Sequence, residues 1–302
     1  MNVDWKEKIK EKSWRISPVG ILVVVALVLF VTILVLESSE AKGKVPTQQV
    51  EEMTTQPTTV EAYATPETPM GKLTVFAKMH SLPLSTWPTS LIELYEKHPE
   101  AEGYVMNYPF YKDVEVPIDL SNCVGTGEVP LLIQWDPRWG YTQYSGELFG
   151  LSACGPTSLS MVCLYLLEDP RMTPRYIADF SEANGYYTTG MGSNWTLIYE
   201  GGEKLGLDVE SLSIDEDTVK EQLKAGNPII CIMGPGDFTS SGHFIVMVGV
   251  ENGMIRVNDS NSRVRSEKLW KFSDIEDQIE GMWVCTLPKA EEQPPATTTQ
   301  AQ

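Results

Sequence analysis

Base is scarce in this sequence. Only three histidines occur in 302 residues, at positions 80, 98 and 243, and Lys and Arg number 23 against 41 Asp and Glu, a formal net charge of −18. Polyanion binding needs clustered Lys and Arg, and no basic cluster appears beyond the N-terminal flank, so no nucleic-acid partner is expected. The five cysteines, at 123, 154, 163, 231 and 285, share no metal-type spacing, and no metal or cofactor is expected. An odd number of thiols cannot pair completely, which leaves at least one that is either inert or reactive. Internal repeats and heptad runs are also missing, so neither a solenoid nor a coiled coil is indicated.

One long apolar run is present. Residues 19–36, VGILVVVALVLFVTILVL, carry no charge and as a helix would extend about 27 Å, just enough to span a bilayer. Lys6, Lys8, Lys10, Lys12 and Arg15 precede it against Asp4, Glu7 and Glu11, the positive balance of a cytoplasmic flank. The reading is a cytoplasmic N-terminus at 1–18 and an uncleaved single-pass anchor at 19–36, with the remainder outside the cytoplasm. Ser39-Glu40-Ala41 offers a cleaved signal peptide as the competing reading, but the apolar core is longer than a signal peptide uses. Residues 37–71, rich in Thr, Pro, Glu and Gln, read as a disordered stalk, and 288–302 as a disordered tail.

Ordered structure is expected over 72–287. Residues 89–100 form an amphipathic helix in an N-terminal extension, and 156–168 are apolar nearly all round, as in a helix buried mid-domain. Further helices are expected at 174–183, 194–204 and 216–225, the last capped by Asp215 and ended by Gly226. Short apolar runs at 228–233, 243–250, 254–259 and 282–287 read as strands. Helices first and strands later give an α+β fold.

Cys154 stands directly before the buried helix. Pro156 suits a first helical turn, and Thr157 and Ser158 can serve the unpaired N–H groups there. The helix dipole and those donors favour the thiolate. Against this, free cysteine is among the most buried residue types, so an inert packing role must be weighed. A nucleophile needs a base and a group that orients it. His243 is the one histidine downstream of Cys154, at the start of a strand; alone it reads as a strand-end residue without a task. Asp259 ends the next strand across Glu251-Asn252-Gly253, where a carboxylate can accept from the imidazole. Asn258 points to the opposite face and is the alternative. Gln134 is the candidate side-chain oxyanion donor beside the Cys154 N–H, with Gln143 behind it.

Hairpin register decides whether Asp259 reaches His243. A two-residue Asn252-Gly253 turn pairs 251 with 254 and sets Asp259 opposite Val246, on the face away from His243. A three-residue loop with Gly253 as a bulge sets it opposite Ile245, on the face of His243, and this loop is expected. Cys163, inside the buried helix, and Cys231 and Cys285, inside strands, take the packing role. Asn194-Trp195-Thr196 fits a glycosylation pattern that is common by chance, and the glycines of TTGMGSNW (188–195) suit either a plain turn or close approach of a substrate backbone.

The run VPLLIQWDPRWG, then SACGPTSLSMV, LKAGNPIICIMGPGDFT and GHFIVMVGVENGMIRVND resembles the bacteriocin-processing-peptidase-like group of papain-like cysteine peptidases, over roughly residues 90–287. The resemblance implies a papain-like fold in which a central helix bears the cysteine and packs on a small antiparallel sheet. It implies Cys154 as nucleophile, His243 as general base then acid, Asp259 as orienter and Gln134 as oxyanion donor. Peptides or proteins are the implied substrates. No ATP-binding cassette or multi-span segment follows, so leader removal coupled to export is not carried over. A cell-wall amidase or endopeptidase of the same fold, or a non-catalytic binding module on a stalk, are the other readings. Joint presence of Cys, His and Asp speaks against the last.

Overall fold

The structure is a computed structural model that describes residues 67–289. The expected anchor at 19–36, its flank, and nearly all of the stalk and tail lie outside the described residues. Among the described residues no helix is long and apolar enough to cross a membrane.

Three helices come first: α1 (Pro69–Met79), α2 (Thr89–Lys97) and α3 (Glu102–Tyr111). Helix α1 begins inside the segment expected to be stalk. The Thr68 side chain accepts from the Gly71 N–H, Pro69 occupies the first turn, and Leu73 and Ala77, one turn apart, are buried. Helix α3 has no sequence signature because it holds Pro109 and buries only the adjacent Tyr104 and Val105. Together these helices form a core with Ile133, Trp135, Tyr141 and Leu148. Tyr104 donates to Gly140 O at 2.6 Å, and a Cβ on Gly150 would meet the Tyr104 hydroxyl at 2.5 Å, so glycine is what lets the extension seat this closely.

The buried helix α4 (Cys154–Leu167) follows, then α5 (Pro174–Asn184) and, later, α6 (Glu216–Lys224). Asp215 accepts from the Thr218 N–H to start α6, and Gly226, at φ +85°, follows its end. The helix expected at 194–204 is present over Leu197–Lys204, wound as a π-helix over Leu197–Gly201 and as an α-turn over Gly202–Lys204. Two short hairpins flank the helices: β1 (Gln143–Tyr144) with β2 (Glu147–Leu148), and β3 (Tyr187–Thr188) with β4 (Gly192–Ser193).

The main sheet comprises β5 (Asp208–Ser211), β6 (Ile229–Met233), β7 (His243–Glu251), β8 (Met254–Asp259), β9 (Leu269–Trp270) and β10 (Ile279–Thr286), in the order β5-β10-β6-β7-β8-β9, antiparallel throughout. Strands β5 and β9 are too short to announce themselves. The apolar runs are continuous because both faces are covered. Ile230, Ile232, Phe244 and Val246 pack with Leu159, Met161 and Val162 of α4, while Ile229, Cys231, Ile245 and Met247 pack with Val219 and Leu223 of α6.

The β7–β8 hairpin corrects one expectation and keeps its consequence. The turn has two residues, Asn252 and Gly253, both at positive φ (51° and 78°), and Glu251 pairs with Met254. A regular ladder from that turn would turn Asp259 away from His243. Between Met247 and Gly249 the register shifts, so Val248 is an extra residue in β7 and Ile245 pairs with Asp259. The bulge therefore sits at Val248, not in the loop.

Candidate active site

Cys154 is the first residue of α4, and no side chain caps that end. Thr157 and Ser158 do not serve the free donors. The Thr157 hydroxyl donates back to Ala153 O at 2.8 Å, and that of Ser158 donates to Phe244 O at 3.3 Å, tying α4 to β7. With that end uncapped, the sulfur lies in the influence of His243 and of the N–H groups of Gly155 and Phe244, all of which favour the thiolate. Burial alone would raise the thiol pKa; the hydrogen bond and charge of His243, with those two N–H groups, outweigh it and lower the pKa from its ordinary value. The other cysteines move the opposite way. Burial pushes Cys285 up to about 12, and raises Cys163, Cys231 and Cys123 as well.

His243 opens β7 and is 5% exposed. Its Nε2 lies 2.8 Å from Asp259 Oδ1, which leaves Nδ1 for the thiol. Burial disfavours the imidazolium, but the Asp259 carboxylate and the Cys154 sulfur hold it charged, with the pKa raised to about 10. Asp259 is fully buried. Oδ1 also accepts from the Asn261 N–H at 2.8 Å, and Oδ2 accepts from Arg265 Nε at 2.5 Å. Burial would push the carboxyl up, yet His243 and Arg265 together hold it at about 2. Asn258, on the opposite face, donates to Val129 O at 3.0 Å and takes no part.

Gln134 is buried, and its backbone N–H donates to Ser260 O at 2.7 Å. Its side-chain nitrogen donates to Gly150 O at 2.9 Å and its oxygen accepts from the Ser260 hydroxyl at 3.1 Å, so the amide is fixed in orientation with one N–H to spare. It does not line the cavity that Cys154 and His243 open into. Gln143 is exposed on β1, away from that cavity.

The cavity, about 690 Å³, is walled by Cys154, His243, Ile232, Ser193, Trp195 and Glu280 among others. The TTGMGSNW segment supplies the β3–β4 side of that wall, with Asn194 accepting from the Thr188 hydroxyl at 2.7 Å.

Several residues at the site carry no sequence signal. Arg265 lies in a single helical turn, Arg263–Ser266, started by Ser262, whose hydroxyl accepts from the Arg265 N–H at 3.0 Å. The N-terminal extension reaches the same loop. Glu100 accepts from the Ser262 hydroxyl and, at 2.8 Å, from the Arg263 N–H, while Asn261 Nδ2 lies 3.2 Å from His98 Nε2. The capping serine beside a charged turn was the only available cue.

Comparison with known proteins gives one family. The model of the Peptidase_C39 like family matches residues 126–286. Among solved structures, the peptidase domain of Streptococcus ComA, a bi-functional ABC transporter involved in a quorum-sensing pathway, is 21% identical with a TM-score of 0.36, covering 45% of this chain and 92% of that one. A putative C39-like peptidase from Bacillus anthracis is 13% identical with a TM-score of 0.35, covering 58% of this chain and all of the other. No curated protein matches.

Proposed function

The chain belongs to the Peptidase_C39 like family, papain-like in its α+β fold, and is a cysteine peptidase; from that premise we propose that it hydrolyses peptide bonds outside the cytoplasm through Cys154, His243 and Asp259, held at a membrane by residues 19–36. The observation that carries the site assignment is the His243–Asp259 hydrogen bond of 2.8 Å beside a thiol whose pKa is lowered. In this reading the Cys154 thiolate attacks the scissile carbonyl carbon. The resulting oxyanion is met by the Cys154 N–H. His243 delivers its Nδ1 proton to the leaving nitrogen, the C–N bond breaks, and a thioester remains on the sulfur. His243 then takes a proton from water, whose oxygen attacks the thioester and releases the acid and the thiolate. Asp259 keeps the ring oriented throughout and stabilises it whenever it carries the proton. The extracytoplasmic, anchored placement rests on the uncharged run 19–36 behind its basic flank.

Incubating the protein with an unbiased peptide library, beside Cys154→Ala, tests the reading by mass spectrometry. New termini that depend on Cys154 are expected. Cleavage that survives the substitution overturns the assignment.

A further inference from the structure

The reactive cavity carries a single carboxylate, and no Lys or Arg lines it. That carboxylate is Glu280 of β10. The pairing of β10 with β6 shifts between Ile279 and Gly281, which makes Glu280 the bulged residue of the strand. Bulges beside active sites re-aim side chains. Here the carboxylate lies over Gly234, where a Cβ would come within 2.6 Å of Glu280 Oε1, so a glycine is needed to leave room for it. Among the described residues no ion pair involves Glu280, and its side chain is exposed.

Trp195 stands on the same wall, 43% exposed, with its ring edge-on to Trp283 at 5.9 Å between centroids. Trp195 and Glu280 also line an adjoining groove of about 530 Å³, which adds Tyr199 and Glu203. An unpaired carboxylate sharing a wall with a partly exposed indole suits one kind of group: a cation on a long apolar stem, which can pack on the ring and pair with the acid. The net charge of −18 draws such groups in from a distance.

We propose that Glu280 and Trp195 form a subsite that selects peptide substrates bearing a lysine or arginine side chain close to the scissile bond. This rests on the peptidase reading above, and the test separates the two. Peptides differing only in Lys, Arg, norleucine or Glu at each position flanking the cleaved bond are compared for kcat/KM. A charge-assisted contact in a partly open site is expected to favour Lys over norleucine about tenfold at one position. In Glu280→Gln that ratio should fall towards one, and in Glu280→Lys it should invert in favour of Glu.

A second measurement needs no turnover. Cys154 is modified with methanethiosulfonates carrying a trimethylammonium or a sulfonate group, and the ratio of the two rates is read. Glu280→Gln should lower the cation-to-anion ratio severalfold. Cleavage without basic preference, or a preference and a ratio both indifferent to Glu280, overturns the subsite while leaving the peptidase. If no peptide is cleaved but the reagent ratio still follows Glu280, the subsite stands and the peptidase reading falls.

Discussion

Arg265 Nε lies 2.5 Å from Oδ2 of Asp259, so the carboxylate that receives His243 on one oxygen is anchored on the other. Asp259 is completely buried and the Arg265 side chain is 18% exposed. Arg265 therefore acts through Asp259 as a positioning residue. In Arg265→Met the carboxyl loses a partly buried positive neighbour and its pKa rises. Because Asp259 must be ionised to hold the imidazolium, the acid limb of the activity profile should move to higher pH, with kcat lowered about tenfold, roughly 1.4 kcal/mol. Arg265→Lys, which keeps the charge but not the geometry, should recover part of the loss. An unchanged pH profile in Arg265→Met would show that Asp259 needs no such anchor.

Thiol reactivity should single out Cys154. Its pKa is lowered, whereas burial raises the other four, so iodoacetamide near neutral pH should label Cys154 first and nearly alone. Mass mapping of the modified peptide reads this directly. Asp259→Asn weakens the imidazolium that favours the thiolate, so its labelling rate should climb with pH through a higher midpoint. Rapid labelling of a protein carrying Cys154→Ala would relocate the nucleophile.

Much of this arrangement was legible because Cys154, His243 and Asp259 each sit at the end of a regular element, where a capping or strand pattern marks the position. Face alternation allows only one of Asn258 and Asp259 to look at His243, and the need for a carboxylate beside the imidazole decided for Asp259. The turn was misread because the demand of the chemistry was met elsewhere: Val248 bulges inside β7, and the one cue to an extra residue is the isolated Gly249 within the strand. Arg265 and Glu280 were invisible for a related reason. Each is placed by irregular backbone, a capped turn in one case and a bulge in the other, and irregular backbone has no period to read. Helices α1 and α3 escaped because they bury few residues each and lean on Trp87, Tyr104 and the 133–148 segment.

The charged centre also shapes stability. Asp259 has its pKa depressed to about 2, so its contribution is present above the unfolded carboxyl range near 3.8 and is lost as pH falls through 2. His243 is raised to about 10, so its contribution is complete below 6.5 and is lost as pH rises through 10. Stability from this pair should be greatest between roughly pH 4 and 6.5, with about 2 kcal/mol lost on the acid side. Urea unfolding across pH, wild type against Asp259→Asn, measures it; an acid limb equally steep in both would place the titrating group elsewhere.

Val248 can be tested by removing it. An odd number of residues separates Ile245 from Asp259, and a two-residue turn with a regular ladder needs an even number, which is what the bulge corrects. Deleting Val248 leaves Met247 opposite Val257 and Ile245 opposite Asp259 without any bulge. The variant should fold, label at Cys154 and retain activity within about threefold, the residual cost being the lost packing of a half-buried valine. A folded but inert deletion variant would mean that the bulge shapes the site beyond its register.

The loop that carries Asn261 and Arg265 is held from outside the segment matched by the family model. Glu100 accepts from the Ser262 hydroxyl and from the Arg263 N–H, and so fixes the start of the turn from which Arg265 reaches back to Asp259. Glu100→Ala removes an ionised acceptor from two donors at once, at a cost of about 1–3 kcal/mol in stability. Its effect on turnover should travel through Asp259. kcat falls while KM for a given peptide holds, because neither Glu100 nor its partners Ser262 and Arg263 line the cavity, and the acid limb shifts in the same direction as in Arg265→Met. Combining the two substitutions should cost less than the sum of their separate effects, since both act by loosening one carboxylate. Full additivity in that double-mutant cycle would sever the N-terminal extension from the chemistry and leave Glu100 as a contributor to folding alone.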